Sequence, residues 1–259
     1  MNGNTLIAFI LCSIAGFSTI LGAFIVFFSK SDNKKIITFA LGFSSSVMIT
    51  VSFTDLLPNA LTSLSKHYNM TFSTVYTLIF ISLGFFITFF IDKLIPENNT
   101  LYDKNKKKDN KLYKLGLFSC LAIMIHNFPE GMATFISSYE DPSLGLYITL
   151  AIMLHNIPEG ISIAIPIYSS TNSKLKAFKY TFLSALAEPL GAIITFLFLQ
   201  PFINELLLGI VFAIVCGVMI YIAFNELIPN AINLGFQNIY LFSILLGIII
   251  MSLSQIFLH

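Results

Sequence analysis

The chain has 259 residues, of which 56% are hydrophobic and only 10% are charged. Soluble domains carry about 25% charged residues, so this composition and the mean hydropathy of +0.84 exclude a soluble globular protein and predict an integral membrane protein. The formal net charge of +1 gives no indication of a nucleic-acid partner, and we expect none.

Eight apolar runs follow one another along the chain, each near the roughly 20 residues that cross a bilayer as a helix. Closed membrane barrels alternate polar and apolar residues, so continuous apolar runs predict helices instead. The runs lie at approximately 5–28, 36–60, 72–92, 115–136, 144–168, 177–199, 206–228 and 239–258. The sequence therefore predicts an all-α integral membrane protein with one transmembrane domain that covers residues 1–259.

The basic residues favour one orientation of these helices. All 14 are lysines, and an outside N-terminus places every lysine except Lys66 on the cytoplasmic side. Because cytoplasmic loops are enriched in Lys and Arg, both termini are predicted to be extracytoplasmic, in the cell membrane. The Lys-rich segment 93–114 is then predicted to be a solvated cytoplasmic loop. A composition rich in Lys, Ile and Asn favours a bacterial source.

Internal repeats organise the eight helices. Segment 47–60, VMITVSFTDLLPNA, matches segment 218–231, VMIYIAFNELIPNA, at 8 of 14 positions and an offset of 171 residues. A shift of five helices reverses direction across the membrane, which is the inverted repeat common among secondary transporters. We expect helices one to three to repeat as helices six to eight. The predicted arrangement is 3+2+3, with helices four and five as a central pair.

Five acidic residues lie in or at the ends of the predicted spans. They are Asp55, Glu130, Glu159, Glu188 and Glu226. A charged side chain at the bilayer centre costs about 2.5–3.5 kcal/mol on insertion scales, and no lysine lies deep in these spans to compensate. A metal cation that passes through the protein is the simplest partner for these carboxylates.

The central pair carries the same motif twice, HNFPEG at 126–131 and HNIPEG at 155–160. In each motif, His and Glu are four residues apart and share a helix face. The prolines remove a backbone donor, so we expect a helix break at each. A structural role for a lone buried His or Pro is common, but a duplicated motif near a third glutamate favours a metal site. The candidate ligands are His126, Asn127, Glu130, His155, Asn156, Glu159 and Glu188.

Imidazole with carboxylate suits Zn(II), Fe(II) and other first-row ions better than Mg(II) or Ca(II). Three carboxylates are enough to hold two adjacent ions bridged by Glu130 and Glu159, so one or two bound ions both stay open. The metal is expected as transported substrate, and no cofactor is predicted. Asp55, Asn225 and Glu226 are candidate pathway residues near the two mouths, although solvation of helix ends explains them equally well.

These residues resemble the ZIP family of divalent-metal transporters, and its ZupT-like bacterial branch in particular. The two HNxPEG motifs are similar to the helix-four and helix-five signatures of that family, and Ala187-Glu188-Pro189-Leu190-Gly191 is similar to its helix-six motif. The resemblance implies uptake of zinc and also of Fe, Mn, Co or Cd, with the seven candidate ligands above as metal ligands. The long loop has no histidine, unlike that of many relatives, so metal sensing by the loop is not expected.

The predicted function is therefore uptake of divalent metal through a midplane site, and not an enzymatic activity. Three rivals remain open: a proton-coupled carrier of an organic solute, an intramembrane metalloprotease, and a metal receptor without transport. The protease is disfavoured because HExxH is absent. Expected partners are divalent metal ions and membrane lipid, and a homodimer is an assembly that the sequence allows.

Overall fold

The structure, a computed structural model, describes residues 3–28, 33–94, 104–199 and 204–256. Within these ranges all regular secondary structure is helical, which confirms the predicted all-α class. The α-helices are α1 (Gly3–Ala23), α2 (Ile25–Phe28), α3 (Lys34–Val51), α4 (Leu57–Ser65), α5 (Met70–Leu94), α6 (Lys104–Glu140), α7 (Pro142–Thr171), α8 (Lys174–Ala185), α9 (Ala187–Ile194), α10 (Glu205–Tyr221), α11 (Ile228–Ile232) and α12 (Gln237–Ile256). Three π-helical segments add to these: Ser52–Leu56, Thr195–Leu199 and Ile222–Leu227.

Six helical segments of the described chain are long and apolar enough to cross a membrane. They are Asn4–Phe28, Lys34–Ser65, Met70–Lys93, Gly145–Thr171, Lys174–Phe198 and Glu205–Ile232. The 37-residue α6 carries the first predicted motif, and α12 has a shorter apolar stretch, Gln237–Leu253. Each of the eight predicted runs thus falls on helical structure, apart from the last residues of the eighth, 257–258, which lie outside the described residues.

Helices α3 and α10 begin in the same way, 171 residues apart. Asn33 caps α3 by accepting hydrogen bonds from the backbone N–H groups of Lys35 and Ile36. Asn204 caps α10 by accepting from the N–H of Leu207. An Asn at this position satisfies helix-end donors that otherwise have no partner. The sequence repeat therefore extends to equivalent helix starts.

Both of these helices continue into a π-helical segment at equivalent places. The π-helical segment Ser52–Leu56 follows α3, and the π-helical segment Ile222–Leu227 follows α10. Pro58 and Pro229 come just after these segments. Proline has no N–H to donate to the carbonyl four residues earlier, so the preceding turn rearranges its hydrogen bonds. The repeat thus preserves the local irregularity as well as the apolar pattern.

Close helix contacts at glycines occur in matching pairs. At five of the six glycines named next, an added Cβ would collide with a backbone carbonyl of a facing helix, and at Gly247 it would first collide with the Ser46 hydroxyl. In the first pair, Gly22 meets Ile157 and Gly191 meets Phe128. In the second pair, Gly160 meets Thr19 and Gly131 meets Glu188. In the third pair, Gly84 meets Ile214 and Gly247 meets Phe43. Within each pair, the two helices of one contact are the repeat counterparts of the two helices of the other contact. The predicted close approach at Gly131 and Gly160 is confirmed.

The helices pack as two bundles. The motif bundle contains α1, α2, α6, α7, α8 and α9, and the second bundle contains α3, α4, α5, α10, α11 and α12. The bundles meet mainly where α3 packs on α7 and α10 packs on α6. Of the glycines whose surroundings are described, every one with a facing neighbour meets a helix of its own bundle. The closest packing therefore lies inside each bundle and not between them.

Two local predictions were wrong, and one break was missed. Residues from Lys104 to Lys114 extend α6 instead of forming a loop, because lysine is a good helix former. Residues 95–103 of that predicted loop lie outside the described chain. Helices α6 and α7 also continue through Pro129 and Pro158, where breaks were expected. A break does separate α8 from α9 at Leu186.

Candidate metal centre

Helices α6 and α7 pack side by side and bring the two motifs together. Glu130 lies between the two histidines, with its Oε1 2.6 Å from His155 Nε2 and its Oε2 3.6 Å from His126 Nε2. The imidazole rings lie with their centroids 6.3 Å apart. Ligand atoms of His126, Glu130 and His155 all lie within 4.8 Å of one another, so these three residues are close enough to share one metal ion.

The second glutamate approaches the same centre from α7. Glu159 Oε1 is 3.5 Å from His126 Nε2, and the Glu159 side chain is fully buried. With the Asn127 amide turned so that its nitrogen faces the neighbouring acceptors, it donates to the carbonyl of Ile123 at 3.0 Å and to Glu159 Oε2 at 3.3 Å. Glu159 therefore faces one imidazole with one carboxylate oxygen and receives an amide hydrogen bond on the other.

Glu188 enters the site from the interrupted helix pair α8 and α9. Pro189 cannot donate to the carbonyl of Ala185, and the helix accordingly breaks between these residues, just before Glu188. The amide nitrogen of Asn156 donates to Glu188 Oε1 and to the carbonyl of Ala15, the latter at 3.0 Å. Through its nitrogen, the Asn156 amide therefore links α7 to α1 and α9. Its oxygen takes no part in these two hydrogen bonds.

Several buried polar atoms of this cluster have no hydrogen-bond partner among the described residues. They are His126 Nδ1 and Nε2, Glu130 Oε2, Asn156 Oδ1, Glu159 Oε1 and Glu188 Oε2. Most of these atoms are acceptors, and a buried unsatisfied acceptor costs about 1–3 kcal/mol. Acceptors that converge without donors are suited to a cation. Contacts join five of the predicted ligand residues, His126, Asn127, Glu130, His155 and Glu159, and a separate hydrogen bond joins the other two, Asn156 and Glu188.

A cavity of about 500 Å³ leads to one side of the cluster. His126, Pro129 and Glu130 of the first motif line it, together with Asp55, Asn59 and Glu205. Among its described lining residues, none comes from 155–160. Glu130 has 13% of its side chain exposed, whereas Glu159 has none. The cavity therefore reaches the cluster at the first motif and not at the second.

The predicted pathway residues fall into two separate places. Asp55 lines the cavity, and its Oδ1 accepts a hydrogen bond of 2.6 Å from Asn59. Asn225 and Glu226 are not among the cavity-lining residues, and the Asn225 amide donates to Glu226 Oε1 at 3.1 Å. The same amide donates to Tyr221 Oη at 2.9 Å. The structure brings Asp55 to the approach to the cluster and leaves the other two in a different polar network.

That second network includes two charged residues that sequence reasoning missed. Tyr221 donates to Asp92 Oδ2 at 3.0 Å, and Lys114 Nζ lies 3.2 Å from Asp92 Oδ1. Both charged side chains are mostly buried, at 23% exposure for Lys114 and 14% for Asp92. A signal existed, since Asp92 is an acidic residue at the end of an apolar run. Lys114 was assigned to the predicted loop, so no buried ion pair was expected for it.

Comparison with known proteins gives matches over nearly the whole chain. The family profile described as ZIP Zinc transporter matches residues 3–111 and 96–255. Zinc transporter ZupT of Oceanobacillus iheyensis is 45% identical over 265 residues, which cover 98% of this chain and 99% of that protein. Zinc transporter ZupT of Streptococcus mutans is 43% identical over 259 residues and 98% of each chain. Zinc transporter ZupT of Campylobacter jejuni is 43% identical over 96% of this chain and 95% of its own.

Proposed function

Because the chain belongs to the ZIP family of zinc transporters, we propose that it carries zinc through the cell membrane into the cytoplasm. One observation supports this proposal above the others: two histidines and a glutamate converge at a cavity, among buried acceptors that lack donors. Imidazole and carboxylate ligands are well suited to zinc. The relatives named above are bacterial zinc transporters.

The proposed site has an inner group and a supporting group. His126, Glu130 and His155 hold the ion first, because their ligand atoms already lie within 4.8 Å of one another. Glu159 and Glu188 add negative charge on the closed side. Asn127 and Asn156 orient those two glutamates by donating to them, and Asn156 keeps an oxygen available for the ion.

A second ion held between Glu159 and Glu188 remains a proposal with its own test. Each of these carboxylates has one buried oxygen without a hydrogen-bond partner. Two ions adjacent to one another would share Glu130 and Glu159 as bridges. Equilibrium dialysis of the purified protein against zinc should then give two ions per chain at saturation. A plateau at one ion per chain would contradict the second site.

We propose eight spans in the 3+2+3 arrangement, with α6 and α7 as the central pair. The matched helix starts and the matched glycine contacts support the arrangement. The lysine distribution favours extracytoplasmic termini. With this orientation the cavity lined by Asp55 opens to the outside, and the network of Asp92 and Lys114 lies on the cytoplasmic side.

The transport cycle then follows from the two bundles. Zinc enters the cavity, exchanges water for imidazole and carboxylate, and is released when the motif bundle moves against the second bundle. Glycine contacts fix the helices within each bundle, so movement between bundles breaks the fewest close contacts. Transport of Fe, Mn, Co or Cd by the same site remains a prediction from ligand chemistry, and so does a homodimer.

Zinc uptake into proteoliposomes tests the proposal directly. His155→Ala and Glu159→Ala should each abolish uptake, because each removes a buried ligand and leaves the remaining charges uncompensated. His67→Ala is the matched control, since His67 is exposed and lies outside the cluster. Normal uptake by both site variants would refute the site, and no uptake by the unsubstituted chain under any imposed gradient would refute transport.

A further inference from the structure

Ser44 makes a polar contact across the boundary between the bundles. Its hydroxyl, on α3 of the second bundle, donates to the carbonyl of Pro158 on α7 of the motif bundle at 2.7 Å. Ser44 is fully buried, and Pro158 is buried as well. The neighbouring residues Ser45 and Ser46 instead donate to carbonyls of their own helix. Of three consecutive serines, Ser44 alone is thus seen to bond the metal-binding helix.

The internal repeat identifies the counterpart of this contact on the other side of the site. The 171-residue offset relates Ser44 to Val215, and the 29-residue offset between the motifs relates Pro158 to Pro129. Val215 and Pro129 both line the cavity. The first pair of positions is therefore joined by a hydrogen bond, whereas both members of the second pair lie in the cavity wall.

The two positions differ in chemistry as well as in contact. A serine hydroxyl can hydrogen-bond a backbone carbonyl, and a valine side chain cannot. Pro158 also directly precedes Glu159, so the hydrogen bond is made to the turn that carries a metal-binding carboxylate. If the bundles exchange their open and closed sides, Ser44 loses its bond and Val215 gains none in return.

We propose that Ser44 is a positioning residue that favours the conformation with the cavity open on the Asp55 side, by holding the Pro158 turn against α3. This inference rests on the proposed alternating exposure of the site. Loss of the hydrogen bond shifts the ratio of the two conformations about fivefold toward the opposite one, the factor expected for one buried hydrogen bond. Placing a hydroxyl at position 215 shifts the ratio in the same direction, because in the opposite conformation that hydroxyl can donate to the Pro129 carbonyl.

Two reporter cysteines separate the two conformations. Ser162 is fully buried here, and its counterpart at the 29-residue offset, Ala133, lines the cavity. A Ser162→Cys reporter is therefore reached by a hydrophilic thiol reagent only in the opposite conformation. Ser137 lines the cavity, while its counterpart Pro166 is buried, so Ser137→Cys reports the present conformation. The native cysteines Cys12, Cys120 and Cys216 are buried and give low background.

The experiment measures labelling rates of both reporters in the full chain, reconstituted in lipid nanodiscs, with a charged methanethiosulfonate reagent. Ser44→Ala should raise the rate at position 162 about fivefold without raising the rate at position 137. Ser45→Ala is the matched control and should change neither rate, because its hydroxyl bonds its own helix. An unchanged rate at 162 in Ser44→Ala, an equal rise in Ser45→Ala, or a rise at both reporters would overturn the inference.

A second variant keeps the test decisive if Ser44→Ala does not fold. Val215→Ser retains Ser44 and should also raise labelling at position 162, whereas an unchanged rate would overturn the inference. Zinc uptake by the unsubstituted chain is measured in parallel in proteoliposomes. Absent uptake with the labelling difference intact rejects the proposed function alone, and normal uptake without a labelling difference rejects the role of Ser44 alone.

Discussion

The turn at 126–131 faces a cavity, whereas the turn at 155–160, which has nearly the same sequence, packs against α1 and α3. His126 and Glu130 line that cavity, and Glu130 has 13% of its side chain exposed. Glu159, in the equivalent position of the second turn, is fully buried. Two copies of one motif therefore differ in access to water, although they carry the same ligand types.

This difference shows that the asymmetry comes from the surrounding helices and not from the motifs. Residue 44 is a serine in contact with the second turn, and residue 215, its repeat counterpart, is a valine that lines the cavity, as the first turn does. A repeat-related exchange of these surroundings would open the second turn and close the first. The following experiments break or sharpen the comparison between the two turns.

The largest effect is expected at the glutamate that connects the turns. Glu130→Gln should lower zinc uptake at least roughly 100-fold, because it removes a charge placed between both histidines, and loss of an outer support alone costs about 10–100-fold. The measurement is initial zinc uptake in proteoliposomes. Glu205→Gln, a change to another carboxylate of the same cavity, should retain most of the activity. Equal losses in both variants would argue against a specific role for Glu130.

Much of this site was accessible from sequence alone. The HNxPEG pairs place His and Glu on one helix face by local geometry, and an acidic residue inside the sixth apolar run added Glu188. The structure places His126 beside Glu130 and Glu159, and it joins Glu188 to Asn156 by a hydrogen bond. The 3.6-residue period and the apolar runs were enough to predict the helices, because both patterns depend only on the local spacing of residues.

Other features depend on contacts between distant segments, which spacing does not encode. The ion pair of Asp92 and Lys114 joins residues that were assigned to the end of a helix and to a loop. The Ser44 contact joins residues 114 positions apart, and one of them accepts through its backbone. The apolar pattern also gave no sign that α6 would begin as early as Lys104.

A second test compares the two asparagines. Asn156→Leu should weaken zinc binding by about 10-fold or more, because its amide supports Glu188 from another helix and also bonds α1. Asn127→Leu should weaken binding less, since half of its amide bonding is to its own helix at Ile123. Equilibrium dialysis of the purified proteins measures both affinities. A larger loss of zinc affinity in the Asn127 variant than in the Asn156 variant would contradict this prediction.

A third test concerns the far end of α6, where Lys114 pairs with Asp92 of α5. Asp92→Asn and Lys114→Met should each lower the free energy of unfolding by about 1–2 kcal/mol, between the values for exposed and buried ion pairs. The double variant should lose less than the sum, because neither charge is then left without its partner. Thermal unfolding in detergent measures the cycle. Strictly additive losses would show that the pair contributes no coupling.

The smallest effect is expected at the cavity approach. Asp55→Asn should raise the apparent KM for zinc about twofold without changing the maximal rate, because Asp55 attracts cations into the cavity but lies outside the proposed ligand set. The increase should shrink at high ionic strength, where the Debye length falls to about 3 Å. Glu226→Gln is the matched control, because Glu226 does not line the cavity, and it should leave KM unchanged. A fall in maximal rate for Asp55→Asn would instead indicate a direct ligand.

The paired glycine contacts have a consequence for how this chain tolerates amino-acid replacement. Where Gly191 meets Phe128 and Gly160 meets Thr19, the facing surface is main chain, which every residue type presents alike. The residues opposite can therefore vary in size without loosening the contact, whereas even an alanine at the glycine forces the helices apart. Tolerance should thus change sharply from one position to its contact partner, and a saturation library scored by zinc-limited growth would display that contrast.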